Sequence, residues 1–103
     1  MGIEVKNRHG YKGRGIYVGR PSVLGNPYVL KREADRALVL KQYHAWLRAE
    51  WKHGGKVKAE LLRLARAYKA SGSLTLICSC APKECHADVI KDAVQALIDK
   101  AIV

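Results

Sequence analysis

The segment LTLICSC, residues 74–80, constrains the fold more than any other part of this sequence. It is short and apolar on both faces, which is typical of a central strand in a parallel sheet. A few residues later, apolar side chains recur at helical period, and this pattern predicts a helix from near Cys85 to the C-terminus. The strand pattern and the helix pattern together indicate an α/β protein.

Patterns upstream predict four further elements. The N-terminal segment GIEVK alternates apolar with charged residues and indicates a first strand, and residues 15–20 indicate a second, buried strand. Apolar residues recur at helical spacing over residues 33–51 and again over residues 57–70, so we expect a helix in each segment. We therefore predict a single domain, residues 1–103, with a small Rossmann-like α/β fold. Its short, mainly parallel sheet would be flanked by three helices.

The charge balance favours an anionic partner. Lysine and arginine number 19 against nine aspartate and glutamate, a formal net charge of +10. A field of this sign attracts phosphates on nucleotides, nucleic acids or anionic lipids, although net charge also simply keeps proteins soluble and monomeric. The first ten residues lack the apolar core of a signal peptide, and no segment approaches the length of a membrane span. Three cysteines, an odd number, favour free thiols. We expect a cytoplasmic protein with no membrane partner.

Two loops follow predicted strands, at the end where α/β sheets bind their ligands. The first, GRPSVLGNPY, offers the guanidinium of Arg20, the hydroxyl of Ser22 and the side-chain amide of Asn26 next to Pro27. These groups could hold a phosphate or the edge of a base. The alternative is a structural turn in which Asn26 bonds its own backbone and Arg20 faces solvent. If the two strands are parallel neighbours, both loops open on one edge of the sheet and can share a pocket.

The second loop, CAPKECH, contains Cys80, Cys85 and His86, and Cys78 precedes it on the strand. One interpretation is a zinc site, but Cys-x-Cys followed by an adjacent Cys-His departs from the usual ligand spacing. A second is a reactive thiol, with Cys85 at a helix N-terminus as nucleophile, His86 as base and Cys80 as its partner or resolving thiol. A third needs no thiol chemistry, because the helix N-terminus can bind an anion while the cysteines pack in the core.

The two loops together resemble the small phage and bacterial family catalogued as domain of unknown function 4326. The likeness rests on IYVGRPSVLGNPYVL, on Tyr43 in the next helix and on LICSCAPKECHADVI. It covers nearly the whole chain, although Ala87 stands where the family usually has glycine. The Cys-His helix start is also similar, over a short stretch, to the domain of unknown function 488 family, which has a Rossmann-like fold. The resemblance implies a fold class and a shared pocket, with no established activity.

These features predict a domain that binds a nucleotide or nucleic acid between the Arg20–Asn26 loop and the Cys85-His86 helix start. Basic residues of the N-terminal loop and the second helix would extend the contact along a nucleic acid: Lys12, Arg14, Lys58, Arg63, Arg66 and Lys69. One alternative is an enzyme that modifies nucleotides or nucleic acid with a Cys85/His86 thiol centre. Another is a phage-encoded interaction protein that docks an acidic host partner. We expect no cofactor, with zinc as the alternative.

Overall fold

A computed structural model describes residues 2–19, 22–28, 31–78 and 86–102. Three predicted site residues, Arg20, Cys80 and Cys85, lie outside these ranges. Within them the chain forms a parallel sheet of three strands and three α-helices, which confirms the predicted small α/β fold. In the same ranges, no helix combines the length and the apolar character needed to cross a bilayer.

The sheet places the most apolar strand between two others. Its strands are β1 (Gly2–Asn7), β2 (Ile16–Tyr17) and β3 (Ser73–Cys78). Their spatial order is β1-β3-β2, and both outer strands run parallel to β3, with Ile3 paired to Leu74 and Tyr17 to Ile77. This order confirms the predicted central position of the LTLIC segment. A strand without charged side chains suits that position, because neighbouring strands cover both of its edges.

The three helices follow the predicted periodicity closely. They are α1 (Arg36–His53), α2 (Lys56–Ser71) and α3 (His86–Asp99). Gly54 and Gly72 end the first two in the left-handed conformation, with φ of 83° and 79°, which glycine adopts without steric cost. Two boundaries differ from the prediction. Residues 33–35 form a 3-10 turn before α1, and α3 ends at Asp99 rather than at the C-terminus.

One face of β3 carries the core. Leu74, Leu76 and Cys78 are buried on this face, whereas Thr75 and Ile77 on the opposite face are half-buried. The helices contact one another, and α2 and α3 also contact β3. Because side chains alternate along a strand, the helical layer covers the face of the three buried residues. The apolar residues of β3 are thus fully buried on one face of the sheet and partly buried on the other.

Strand β2 is shorter than the predicted strand over residues 15–20. It approaches β3 closely at Gly15, where a Cβ atom would stand 3.0 Å from the Thr75 carbonyl and 2.8 Å from Ile77 Cδ1. The N–H of Val18 still donates to the Ile77 carbonyl at 3.0 Å. The Val18 carbonyl, however, bonds to the side chain of His86 rather than to another strand. The backbone therefore leaves the sheet at this residue.

Candidate functional site

All three strands end at the same edge of the sheet, and this edge is the candidate site. The N–H of Arg8, just after β1, donates to the Cys78 carbonyl at 2.8 Å. Val18, the residue after β2, lies level with Cys78, because Tyr17 pairs with Ile77. Helix α3 begins after this edge, at His86. A pocket shared by the two loops requires β2 and β3 to be parallel neighbours. That condition is met.

His86 links the start of α3 to the end of β2. Its side chain is buried, and Nε2 lies 2.7 Å from the carbonyl oxygen of Val18. A carbonyl oxygen can only accept a hydrogen bond, so Nε2 carries the proton in this contact. This bond orients the ring and sets its tautomer. In the thiol-enzyme alternative, Nε2 of His86 is therefore not available to take a proton from a nucleophile.

Tyr43 of α1 supports the same loop from the other side. Its fully buried hydroxyl donates to the carbonyl oxygen of Leu24 at 2.7 Å. Its ring meets the His86 ring edge-on, with the centroids 5.3 Å apart and the planes at 74°. The turn between Val18 and Leu24 is thus held by its carbonyls at both ends. We call this pair of contacts the His86–Tyr43 clamp.

The clamped turn contains a buried hydroxyl. The N–H of Ser22 donates to the Gly19 carbonyl and the N–H of Gly25 to the Ser22 carbonyl, each at 2.9 Å. The Ser22 Oγ is inaccessible to solvent and has no hydrogen-bond partner in the described part of the chain. Buried hydroxyls in folded proteins almost always have a partner. An unpaired buried hydroxyl is unfavourable, so we expect either a buried water or a ligand atom to pair with it.

Asn26 and Pro27 contribute less directly. The Asn26 Oδ1 accepts a hydrogen bond from the Tyr28 N–H at 2.8 Å, as in an Asx turn. This is the structural-turn alternative that the sequence left open, and it occupies the side-chain oxygen of Asn26. Pro27 is exposed on the surface of the loop. The structure therefore gives Asn26 a part in shaping the loop.

The cysteine segment is only partly described. Cys78 is fully buried in the core at the end of β3, as in the interpretation of the cysteines as core residues. The other two zinc-ligand or nucleophile candidates, Cys80 and Cys85, lie outside the described ranges. Among the residues that are described, no three histidine, cysteine, aspartate or glutamate side chains are grouped closely enough to hold a metal ion.

The chain matches the family model described as Domain of unknown function (DUF4326) over residues 3–96. The protein belongs to the DUF4326 family. No curated protein matches the chain, and no solved structure does. The match spans both loops and most of α3, so it confirms the resemblance found in the sequence. The likeness to the domain of unknown function 488 family stays a prediction.

Two positions of the DUF4326 pattern acquire a structural reason. Tyr43, which the sequence marked only as a motif residue, is one half of the clamp. Gly19 lies directly under the side chain of Tyr17, where a Cβ atom would overlap the phenol ring. The Tyr17 ring in turn faces Arg8, with the guanidinium carbon 5.4 Å from the ring centroid and Nη1 3.2 Å from the hydroxyl.

The structure adds Arg8 to the residues at the candidate edge of this DUF4326 chain. Arg8 was part of a basic loop in which no single residue stood out, yet it lies immediately after β1 at the candidate edge. The register of β1 on β3 decides this position, because it brings the end of β1 level with Cys78. Lys12 and Arg14, which were predicted to contact nucleic acid, are exposed on the same loop.

The four predicted basic residues of α2 have different surroundings. Arg66 and Lys69 are exposed, and the Lys58 ammonium lies 4.9 Å from the centroid of the Trp51 ring. Arg63 instead donates from Nε and Nη2 to the two carboxylate oxygens of Glu60, at 2.7 and 2.6 Å. These hydrogen bonds hold the pKa of Glu60 below its ordinary value and raise that of Arg63.

Proposed function

We propose that this DUF4326 domain binds the phosphate of a nucleotide or nucleic acid at the carboxyl edge of its sheet. The observation that carries the proposal is the orphan hydroxyl of Ser22 in a turn held at both ends by the His86–Tyr43 clamp. The carbonyls of Val18 and Leu24 are already fixed by side-chain hydrogen bonds, so ordering these two positions on binding costs little entropy. We expect the domain to act in the cytoplasm of a bacterial or phage-infected cell.

The start of α3 supports an anionic ligand at this edge. The first N–H groups of a helix have no intrahelical acceptor, and the helix dipole favours negative charge there. Within the described part of α3, one carboxylate opposes it. Asp88 lies in the first turn of α3, and its carboxylate competes for the same field. A phosphate at this edge would therefore bind more tightly once the charge of Asp88 is removed.

A nucleic acid would reach beyond this edge. Lys12 and Arg14 are exposed on the β1–β2 loop, and Arg66 and Lys69 are exposed on α2. Each cation that neutralises a phosphate releases a counterion, so binding to a polymer weakens steeply with salt. A mononucleotide engages few cations and depends little on salt. The salt dependence thus separates the two forms of ligand.

The test is a titration followed by the backbone amide signals in NMR. The probes are inorganic phosphate, nucleoside monophosphates and a short single-stranded oligonucleotide. We expect saturable shifts at Ser22 to Gly25 and at the first residues of α3. Replacement of Ser22 by alanine should weaken binding, and Asp88→Asn should tighten it about two- to fivefold. The matched control is Asp99→Asn, which removes the same charge at the opposite end of α3.

A second arm tests the nucleic-acid contact on α2. If Arg66 neutralises a phosphate, Arg66→Gln should lower the slope of log affinity against log salt by about 0.7 for a single strand. Arg63→Gln is the matched control, because Glu60 already neutralises Arg63. Equal slopes for the two variants and the wild type would remove α2 from the contact. Shifts confined to regions other than the edge, or no binding of any probe, would refute the proposal itself.

A further inference from the structure

A groove between α1 and α3 lies outside the candidate site. It has a volume of about 520 Å³ and begins at Val89, one turn into α3, and at His44 on α1. Its floor is apolar and is formed by Leu47, Trp51, Val89, Ala93 and Leu97. The groove is open to solvent, and its volume falls in the range of small-ligand sites.

The groove follows from the side chains that the two helices turn toward each other. Along α3 its wall is made by residues 89, 93, 96 and 100, which lie at helical spacing on one stripe. Two of these are alanines, and their small side chains take up little of the groove that Trp51 also lines. Eleven residues of α3 span about 16 Å, or three helical turns. The lining stripe on α3 is therefore about as long as a three-turn helix.

The rim of the groove is strongly basic. Arg48 and Lys52 of α1 and Lys100 at the end of α3 line it, against a single carboxylate, Asp92. All three cations are exposed, and none forms an ion pair with a residue in the described ranges. Lys52 lies in the last turn of α1, where it also offsets the helix dipole. Arg48 lies one turn before Lys52, outside the last turn of α1, so it does not offset the helix dipole.

We propose that this groove binds an acidic amphipathic helix of another protein. Such a helix would lay its apolar face on Trp51 and Ala93 and direct its carboxylates to Arg48, Lys52 and Lys100. A nucleic acid is a poorer fit, because the aliphatic part of the floor offers nothing to phosphates and the Trp51 ring on which a base could stack already contacts Lys58. A second copy of this chain is also a poorer fit, since both partners would carry a formal charge of +10. The inference concerns a different surface from the phosphate site and does not rest on it.

The probe is a synthetic helix-stabilised peptide of three to four turns, with leucines at i, i+4 and i+7 and glutamates elsewhere. A scrambled peptide of the same composition has the same charge but no apolar face. We expect saturable binding of the first peptide, with amide shifts along α1 and α3 at the groove. The scrambled peptide should bind at least about tenfold more weakly, because it loses the apolar contact.

Two variants locate the contact on the protein. Ala93→Glu fills the groove with a negative charge and should abolish binding, while Arg48→Glu should weaken it about fivefold or more. The matched control is Arg66→Glu, the same charge reversal on the outer face of α2. Equal effects of Arg48→Glu and Arg66→Glu would show attraction by net charge alone and overturn the inference. The inference would also be overturned if the scrambled peptide bound as tightly as the amphipathic one, or if neither peptide bound.

Discussion

Replacing Tyr43 by phenylalanine tests the clamp with a change of one atom. The substitution keeps the ring that packs against His86 and removes the hydroxyl that donates to Leu24 at 2.7 Å. Both residues are almost fully buried, at 0% and 1% exposure, so water cannot replace the lost donor. The net value of the hydrogen bond, together with a buried carbonyl left without it, amounts to about 1–2 kcal/mol of unfolding free energy.

The measurement is urea unfolding of the wild type and of Tyr43→Phe, with the m-value compared between them. At about 4–8 °C for each kcal/mol in a domain of this size, thermal unfolding should show the same loss. The matched control is Tyr68→Phe. The Tyr68 hydroxyl is half-buried and lies 3.4 Å from Gln95 Oε1, a long contact that should contribute less than about 0.5 kcal/mol.

Hydrogen exchange gives a readout that is specific to the turn. The N–H of Gly25 is bonded to the Ser22 carbonyl next to Leu24, so Tyr43→Phe should speed its exchange more than global destabilisation explains. Tyr68→Phe should leave this amide unchanged. The reasoning is refuted if the two variants lose the same free energy, or if the Gly25 amide exchanges equally in both.

Two further predictions concern the sheet and α2. Gly15→Ala should destabilise the fold by about 1–2 kcal/mol in urea unfolding, because its methyl group would press on the Thr75 carbonyl and Ile77; an unchanged midpoint would contradict this. Since Arg63 lowers the pKa of Glu60 in the folded state, the pair should stabilise the wild type over Glu60→Gln by about 0.3–0.5 kcal/mol at neutral pH. This gain in stability is fully present above the ordinary carboxyl pKa. It disappears as the pH falls through the lowered pKa of Glu60 in the folded protein. A gain that persists in acid would show that the ion pair is not its source.

The candidate site shows where sequence reasoning stops. The sequence predicted that the two loops begin at one edge only if β2 and β3 were parallel neighbours, and the structure supplies that pairing. The two possible roles of Asn26 could not be separated, since either a ligand or the Tyr28 N–H can use its side-chain oxygen. The sequence correctly predicted a basic, solvent-facing side of α2. Its periodicity does not show that Arg63 forms an ion pair with Glu60, because one such pair at i, i+3 leaves the apolar pattern unchanged.

Local patterns alone determined the elements of this protein and their order. Apolar spacing reports which face of a helix or strand is buried, and that information lies within a few residues of each position. The contacts that build the candidate site join residues far apart in the chain. His86 and Val18 are separated by 68 positions, and Tyr43 and Leu24 by 19. Only the packing of α1 and α3 at the edge of the sheet decides which backbone carbonyl each side chain meets.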